Sequence, residues 1–238
     1  MATKRQRNTF YFKKFSVNHD LCTMKVGTDA VLLGAWVTIS SSKHVLDVGT
    51  GSGVIALMLA QRTDAQVHID AIEINEVDAN QAKENILSSP WREKISVNHA
   101  SLQEFRPKEQ YDLIVSNPPY FVNSLQSPSQ TRTQARHNQE LTFNELISNS
   151  LRLLNPTGRL AVILPFAEGN IFKTLAIENQ LHLIRETAFY SRREKPQERW
   201  LFEFSCEEAE LQSDQLLLYE KDSIQTEKYI NLVKDFYL

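Results

Sequence analysis

Short apolar runs alternate with stretches of helix-like spacing along most of the chain from Val45 onward. The continuous runs are typical of strands buried on both faces, and the stretches between them carry apolar residues at helical intervals. This alternation predicts a parallel sheet covered by helices on both sides. The predicted strands span residues 44–48, 67–72, 95–97, 113–115 and 159–164, and the predicted helices span residues 55–60, 75–87 and 141–153.

Two further strand patterns, at residues 201–204 and 216–219, follow one another across a polar loop. They predict a hairpin-like antiparallel edge, which brings the predicted sheet to seven strands. Residues 154–158 read Leu-Asn-Pro-Thr-Gly and predict a helix stop and a turn before the strand at 159–164. The predicted fold class is therefore α/β, doubly wound, with a mostly parallel sheet.

The N-terminal segment, residues 1–40, is a basic and aromatic arm followed by an apolar helix. Residues 28–37 predict that helix, with Thr28 as its N-cap. The aromatic rings at residues 10–15 lie among lysines, so they either anchor the arm to the core or bind RNA. Both alternatives stay open. We expect one domain over residues 1–238, with the arm and helix packed on its core.

The composition excludes several classes of protein. With 238 residues, 42% of them hydrophobic, the chain can bury one full core, and no apolar run approaches the ~20 residues that span a bilayer. Cys22 and Cys206 are far apart in the sequence, which predicts a protein of the reducing cytoplasm without a disulfide. The six histidines lack the spacing of metal ligands, so we expect no bound metal ion. The net charge is only −3, so any nucleic-acid binding must come from local clusters such as residues 192–199.

A glycine-rich loop follows the first predicted strand of the sheet. A dinucleotide fingerprint requires glycine at position 54, where the chain has Val54. Asp47 precedes the loop, and a carboxylate there disfavours phosphates and favours a cofactor with a cationic tail. Glu73 ends the next strand, where it can accept both ribose hydroxyls of an adenosine. The loop has the pattern D-x-G-x-G-x-G, with glycines at Gly49, Gly51 and Gly53.

A second motif, Asn117-Pro118-Pro119-Tyr120, ends the strand at residues 113–115. The two prolines restrict the backbone and make a stiff shelf. The side-chain carbonyl of Asn117 and the backbone carbonyl of Pro118 can both accept hydrogen bonds from one planar NH₂ group. This would localise the nitrogen lone pair, while Tyr120 stacks on the ring that carries the amine. The motif therefore predicts a site that transfers a group to an amine by positioning it.

Together the two motifs resemble those of class I S-adenosylmethionine-dependent amino-methyltransferases. The resemblance implies a Rossmann-like fold with S-adenosylmethionine as the cofactor. The family commonly has an acidic residue after the third strand that binds adenine, whereas this chain has Ser101 there. The implied cofactor-binding residues are Asp47, Gly49, Thr50, Gly51, Gly53, Glu73, Ile74, Ser101, Leu102 and Asn117, and the implied catalytic residues are Asn117, Pro118, Pro119 and Tyr120.

The rest of the chain resembles one branch, the bacterial tRNA1(Val) adenosine-37 N6-methyltransferases. Residues 24–36 carry this resemblance, most specifically at residues 25–36, and residues 135–137, 141–143 and 235–238 add to it. It implies an enzyme that methylates the exocyclic amine of adenosine in a tRNA anticodon loop, and we expect a monomer. The alternatives are a protein-glutamine methyltransferase, an rRNA guanine-N2 methyltransferase, and a non-catalytic RNA-binding scaffold. Tyr120 disfavours the guanine branch, where phenylalanine is commoner.

Five polar residues are candidates for contacts with RNA. Three follow the proline shelf in a polar loop, where they would contact phosphates or bases beside the active site, and two belong to the basic cluster at residues 192–199. A solvated loop explains each of them equally well when taken singly. The candidates are Arg132, Arg136, His137, Arg192 and Lys195.

Overall fold

The computed structural model describes residues 8–119 and 141–238. Within these ranges the chain forms a small hairpin, a large sheet and the helices that cover it. The strands are β1 Thr9–Tyr11, β2 Ser16–Asn18, β3 His44–Val48, β4 His68–Glu73, β5 Ile95–His99, β6 Tyr111–Ser116, β7 Leu154–Pro165, β8 His182–Arg192, β9 Arg199–Ser205 and β10 Gln212–Tyr219. The helices are α1 Thr28–Trp36, α2 Val54–Gln61, α3 Glu76–Leu87, α4 Phe143–Leu153, α5 Phe166–Glu178 and α6 Glu227–Val233, with a 3₁₀ turn at Lys221–Ser223.

The main sheet confirms the predicted doubly wound α/β class. Its strands lie in the order β10-β8-β9-β7-β6-β3-β4-β5, and every neighbouring pair is parallel except those that involve β9. The order reverses between β3 and β6, so the carboxyl ends of these two strands flank the crevice in which such sheets bind ligands.

Two details of the predicted sheet are wrong. The sheet has eight strands, because the sequence analysis missed β8. The predicted hairpin between residues 201–204 and 216–219 does not form either. Strand β9 lies inside the sheet, antiparallel to both β7 and β8, and β10 pairs with β8 in parallel. Strand β8 escaped detection because Arg185 and Glu186 interrupt its apolar pattern; their charges pair with Glu203 and Lys173 in the folded chain.

The core lies in two layers, one on each face of the sheet. Neighbouring residues of β3 show this: Val45 belongs to the layer under α1, α2 and α6, whereas Leu46 belongs to the layer under α4 and α5. Strands covered on both faces need apolar residues at successive positions, which explains the continuous runs in the sequence. No helix within residues 8–119 and 141–238 is long and apolar enough to cross a bilayer.

The N-terminal segment packs on the first of these layers. Phe12, Phe15 and Val17 are buried, and the amide of Lys13 donates to the carbonyl of Phe236 near the end of the chain. Helix α1 begins at Thr28, but its N-cap is Gly27 rather than the predicted Thr28, and no side chain caps it. Phe10, Phe12 and Phe15 therefore act as anchors, whereas Tyr11 is exposed and residues 1–7 lie outside the described ranges.

Strand β7 starts earlier than expected and absorbs the predicted turn. Its pairing with β6 shifts register between the Tyr111 and Leu113 partners, which leaves residues 155–158 as an irregular insertion. The side chain of Asn155 accepts a hydrogen bond from the amide of Thr157 at 3.0 Å, a local turn of the kind Asn favours. The turn chemistry was predicted correctly, but it lies within the strand rather than before it.

Candidate active site at the carboxyl edge of the sheet

Three neighbouring strands bring the two predicted motifs together. Val48 of β3 is in register with Ile72 of β4 on one side and with Ser116 of β6 on the other. The next residue of each strand is therefore Gly49, Glu73 or Asn117, side by side at intervals of ~4.8 Å. The hydroxyl of Ser116 donates to the carbonyl of Val48 at 2.9 Å and holds the β6 end against β3. The cofactor motif and the proline shelf thus face one crevice.

The glycine loop satisfies most of its own backbone groups. The amides of Gly49 and Thr50 both donate to the carbonyl of Ile72, at 2.9 and 3.0 Å. All three glycines have positive φ, at 71°, 53° and 83° for Gly49, Gly51 and Gly53. This backbone conformation explains why glycine is needed. Apart from its chain neighbours, no atom of the described residues lies within 4 Å of a Cβ placed on Gly49 or Gly51, so within residues 8–119 and 141–238 both positions border open space.

Glu73 uses one carboxylate oxygen to hold this loop and the other to hold the start of α3. Its Oε2 accepts from the amide of Gly51 at 2.9 Å and its Oε1 accepts from the amide of Asn75 at 3.0 Å. The residue is 8% exposed, and burial raises the pKa of its carboxyl above the ordinary value despite these bonds. Each carboxylate oxygen has a second lone pair. The arrangement therefore leaves acceptors for a pair of hydroxyls, as the predicted ribose role requires.

Asp47 has a structural task that the sequence did not suggest. Its Oδ2 accepts from the hydroxyl of Thr50 at 2.6 Å and from the amide of Ala56 at 3.2 Å. Ala56 is the third residue of α2, whose N-cap Gly53 has no side chain, so Asp47 supplies the missing cap. The carboxyl is fully buried, which raises its pKa to about 7. Its Oδ1 has no hydrogen-bond partner in the described part of the chain.

Together these observations fit the predicted cofactor. The Oδ1 of Asp47, unpaired among the described residues, can bind a cationic group, either directly or through a water molecule. The buried carboxylate of Glu73, which can accept hydrogen bonds from two hydroxyls, lies next to the glycine loop. Thr50 contributes by holding Asp47, with its own side chain buried, rather than by facing the crevice.

The residues predicted to contact the adenine ring follow the carboxyl ends of β4 and β5. Ile74 is 48% exposed, and Nε2 of His99 lies 3.0 Å from its carbonyl oxygen. The Ser101 hydroxyl donates to Glu104 at 3.1 Å, and the Leu102 side chain is buried in the core. Ile74 thus has an exposed apolar side chain directly after Glu73, and the adenine roles of Ile74, Ser101 and Leu102 stay predictions.

The structure describes part of the proline shelf. Asn117 is half-buried, Pro118 is buried and Pro119 is exposed. The other predicted residues of this loop, Tyr120, Arg132, Arg136 and His137, lie outside the described ranges.

The basic cluster lies three strands away from Asn117, on the turn between β8 and β9. Arg192 donates to the Ser223 hydroxyl at 2.8 Å and lies over the Tyr219 ring, so it also ties the turn to the neighbouring loop. Lys195 is exposed at the tip of the turn. The structure therefore puts this cluster on the same edge as the shelf but not in contact with it.

Residues 19–27 form a segment, here called the strap, that packs over the start of α3. The sequence pattern did not predict the side chains that hold it. Asn85 exchanges hydrogen bonds with the backbone of Asn18 and donates to the carbonyl of Ser52 at 2.9 Å. Asp78 accepts from the amide of Thr23 at 3.0 Å. Burial, with Asp78 and Glu73 nearby, raises the pKa of the Cys22 thiol to about 12. The strap thus adjoins the cofactor side of the crevice.

One signal could have revealed these contacts. Asp78 and Asn85 lie seven residues apart, next to the buried Ala79, Ala82 and Ile86 of the same helix. Polar residues beside such an apolar stripe on a helix need partners when they are buried. No group of three or more potential metal-ligating side chains occurs within residues 8–119 and 141–238.

Comparisons with known proteins give consistent results. Residues 22–175 match the family described as methyltransferase small domain. The chain is 43% identical to the tRNA1(Val) (adenine(37)-N6)-methyltransferase of Tolumonas auensis over 231 residues, which is 97% of each chain. It is 45% identical to the protein of the same name from Parabacteroides distasonis, with 96% of this chain and 97% of that one covered.

Among solved structures, a predicted O-methyltransferase, protein Atu636 from Agrobacterium tumefaciens, has the same fold. The two superpose with a TM-score of 0.69 at 18% identity, covering 87% of this chain and 96% of that one. At that identity the likeness extends to the fold alone.

Proposed function

The chain belongs to the tRNA1(Val) (adenine(37)-N6)-methyltransferase family, and from this membership we propose that it methylates the N6 amine of adenosine 37 in tRNA1(Val). S-adenosylmethionine is the methyl donor. One observation carries the proposal within this chain: the register of β3, β4 and β6 puts Glu73, the glycine loop and Asn117 side by side at one edge of the sheet. A donor bound at the first two therefore lies beside an acceptor held at the third.

The cofactor half of the crevice binds and orients the donor. Glu73 would hold the ribose hydroxyls, and the positive-φ glycines leave the room that the donor occupies. The buried Asp47 stabilises the start of α2 and favours a cationic group nearby. When bound, S-adenosylmethionine supplies an electrophilic methyl group on a positively charged sulfur.

The shelf prepares the acceptor amine. The side-chain carbonyl of Asn117 and the backbone carbonyl of Pro118 would each accept one hydrogen of the N6 amine, and Tyr120 would stack on the adenine. Two acceptors pull the nitrogen towards tetrahedral geometry, which frees its lone pair from the ring and directs it at the methyl group. No acid or base is needed beforehand, because the amine would attack as a neutral nucleophile. The methyl–sulfur bond would break with its electrons on sulfur, S-adenosylhomocysteine would leave, and the methylated amine would lose its extra proton to water. Positioning supplies most of the rate, since effective molarity offsets ~7–11 kcal/mol of barrier.

The decisive experiment compares acceptors that differ at the proposed atom. Purified protein is incubated with methyl-labelled S-adenosylmethionine and tRNA1(Val) transcripts that have adenosine or guanosine at position 37, because guanosine lacks an N6 amine. We expect label only in the adenosine form, recovered as N6-methyladenosine after nuclease digestion. Total rRNA and cell protein serve as competing acceptors. Label in glutamine residues of protein, in rRNA guanine, or in no acceptor would overturn the proposal in favour of one of its three rivals.

We also propose that the protein acts as a single-domain monomer in the cytoplasm, without a metal ion. A chelator should leave the transfer rate unchanged, and light scattering should give the mass of one chain. Loss of activity with the chelator, recovered on adding a metal, would contradict this part of the proposal.

A further inference from the structure

A row of aromatic rings on one face of the sheet ends at the edge that holds the active site. Phe204 and Phe202 of β9 are fully buried, and Trp200 continues the row 5.2 Å from Phe202 with the planes 20° apart. Phe166 is the last ring, 6.4 Å from Trp200 at 23°. It is 44% exposed. The row thus passes from the core to the surface.

The outer rings of this row are held firmly in place. The amide of Phe166 donates to the carbonyl of Glu198 at 3.0 Å, and the indole nitrogen of Trp200 donates to Asn170 at 3.0 Å. Gly169 makes room for the indole, because a Cβ atom there would lie 2.8 Å from Trp200 Cδ1. Such constraints make Phe166 a preorganised ring that loses little freedom when a second flat group stacks on it.

The sheet register puts Phe166 close to the proposed target amine. Ser116 of β6 pairs with Val162 of β7. Asn117 follows Ser116 by one residue, and Phe166 follows Val162 by four. Phe166 thus lies three residues beyond Asn117 along the strand direction, which is roughly 10 Å, and one strand spacing of ~4.8 Å to the side. Phe166 is therefore too far to touch the adenine held at Asn117, but near enough to meet an adjacent nucleotide.

The surface beyond Phe166 carries exposed positive charge. Arg193 and Lys195 are exposed on the turn between β8 and β9. Glu194, between these two cations, is also exposed, so the tip of the turn carries a net charge of one. Glu198 accepts from the Ser191 hydroxyl, and Arg199 pairs with Asp29 at 2.9 Å. An exposed aromatic platform flanked by cations is the combination that binds single-stranded nucleic acid, through base stacking and phosphate contacts.

We propose that Phe166 is a stacking platform for a nucleobase next to the target adenosine, and that it helps select an unpaired anticodon loop as the acceptor. The proposal rests on the proposed function, since it takes an RNA as the substrate of the same site. When the target base turns into the crevice, its neighbour loses a stacking partner. Phe166 replaces that partner, while Arg193 and Lys195 contact the phosphates that follow.

The test compares three variants on α5. Phe166→Ala removes the ring, Phe166→Trp keeps an aromatic surface, and Ile177→Ala changes a residue of similar exposure, 51%, at the far end of the helix. With the anticodon stem-loop as the probe, we expect Phe166→Ala to raise Kd and KM about five- to a hundred-fold. The other two variants should bind like the parent. Thermal melting and S-adenosylhomocysteine affinity should be unchanged in all three.

A second arm separates stacking from a structural role. Stem-loops with an abasic residue on either side of the target adenosine are assayed with the parent and with Phe166→Ala. At the stacked position, the abasic residue should weaken binding to the parent as much as the ring deletion does, with little further weakening when both changes are combined. Additive effects at both positions, or equal affinity of the parent and Phe166→Ala for the intact stem-loop, would overturn the inference.

Failure of the proposed function gives a different result. If the parent binds the stem-loop and shows this coupling but transfers no methyl group to it, the function is wrong and the platform stands. If the parent methylates tRNA and Phe166→Ala matches it in KM, the function stands and the platform is wrong. If the parent binds no RNA, both are overturned.

Discussion

The glycine loop at residues 49–53 and the β8–β9 turn at residues 193–198 lie at the same edge of the sheet, but they use their polar groups differently. In the loop, the amides of Gly49, Thr50 and Gly51 bond to Ile72 or Glu73, and Asp47 is buried beneath them. On the turn, Arg193 and Lys195 extend into solvent. The first region therefore stabilises the fold with the same groups to which we assign cofactor binding, whereas the exposed side chains of the second are proposed to bind RNA.

This difference has a consequence for mutations. A change in the loop region should alter folding stability and cofactor affinity together, if one carboxylate serves both as proposed. A change on the exposed surface should alter RNA binding and leave stability nearly unchanged. Asn117 lies on the boundary between the two regions, since it follows β6 at the crevice. Substitutions in the three places should therefore have three distinct combinations of effects on stability, cofactor affinity and RNA binding.

The largest effect is expected at the boundary. Asn117→Ala removes one of the two acceptors for the amine, and a group that acts on the reacting atom is typically worth about 10²–10³ in kcat. Cofactor affinity should change little, because Glu73 and the glycine loop remain. Single-turnover transfer and calorimetric titration with S-adenosylhomocysteine measure the two quantities. Asn98→Ala, on β5, is the control. Normal turnover by Asn117→Ala would mean that the shelf is not the active site.

In the loop region, Glu73→Ala should weaken the cofactor by about 1.5–3 kcal/mol, since a buried charged acceptor is removed. The same change leaves the amides of Gly51 and Asn75 without their acceptor, so stability should fall as well. Calorimetry and urea unfolding check the two effects on one protein preparation. Glu76→Ala, three residues along and exposed, should show neither. A folded Glu73→Ala protein with parental cofactor affinity would remove the ribose assignment.

Asp47 should make the stability of the cofactor-free protein depend on pH. Its folded pKa, about 7, lies above the ordinary value of 3.8. Stability from the bound proton is therefore fully present below the unfolded value and is lost as pH rises through 7. Between pH 6 and pH 8 the loss is about 1.4 kcal/mol. The amide of Asp47→Asn cannot titrate, so its unfolding free energy should vary less over this range than that of the parent.

The control for this titration is Asp64→Asn, an exposed carboxylate, which should retain the parental pH dependence. Identical pH profiles for the parent and Asp47→Asn would show that Asp47 is already ionised in the folded protein at pH 6. Burial of Asp47 beneath the loop would then affect the pH dependence of folding stability less than the structure implies.

The smallest effect belongs to the exposed turn. Arg193→Gln with Lys195→Gln should weaken tRNA binding a few-fold at physiological salt. The slope of log K against log salt should fall by about 0.7 for each phosphate that the protein no longer neutralises. Stability and cofactor affinity should not change. Lys43→Gln with Lys108→Gln, exposed cations at the opposite edge of the sheet, is the matched control. An equal change of slope in both pairs would indicate a diffuse effect of net charge rather than a binding surface.

Much of this molecule could be predicted from local patterns. The runs that became β3, β4 and β6 are apolar over their whole length because both faces of these strands are covered. The residues with special chemistry follow directly at their ends, as in Asp47 to Gly53 and at Asn117. Strand, turn and helix start are formed by neighbours in sequence, so their pattern identified both motifs and the family they resemble. The site roles assigned to individual residues remain to be tested by the variants above.

What only the tertiary structure decided is which distant segments meet. The position of β9 between β7 and β8 depends on pairings with two strands, and one of them, β8, has an interrupted pattern because its charged residues find partners elsewhere in the fold. Phe166 became the exposed end of an aromatic row through its contact with Trp200 on another strand, and Trp36 became fixed by the Thr187 hydroxyl of β8. Composition and spacing report the preferences of a residue and its neighbours, whereas these roles follow from burial and long-range pairing.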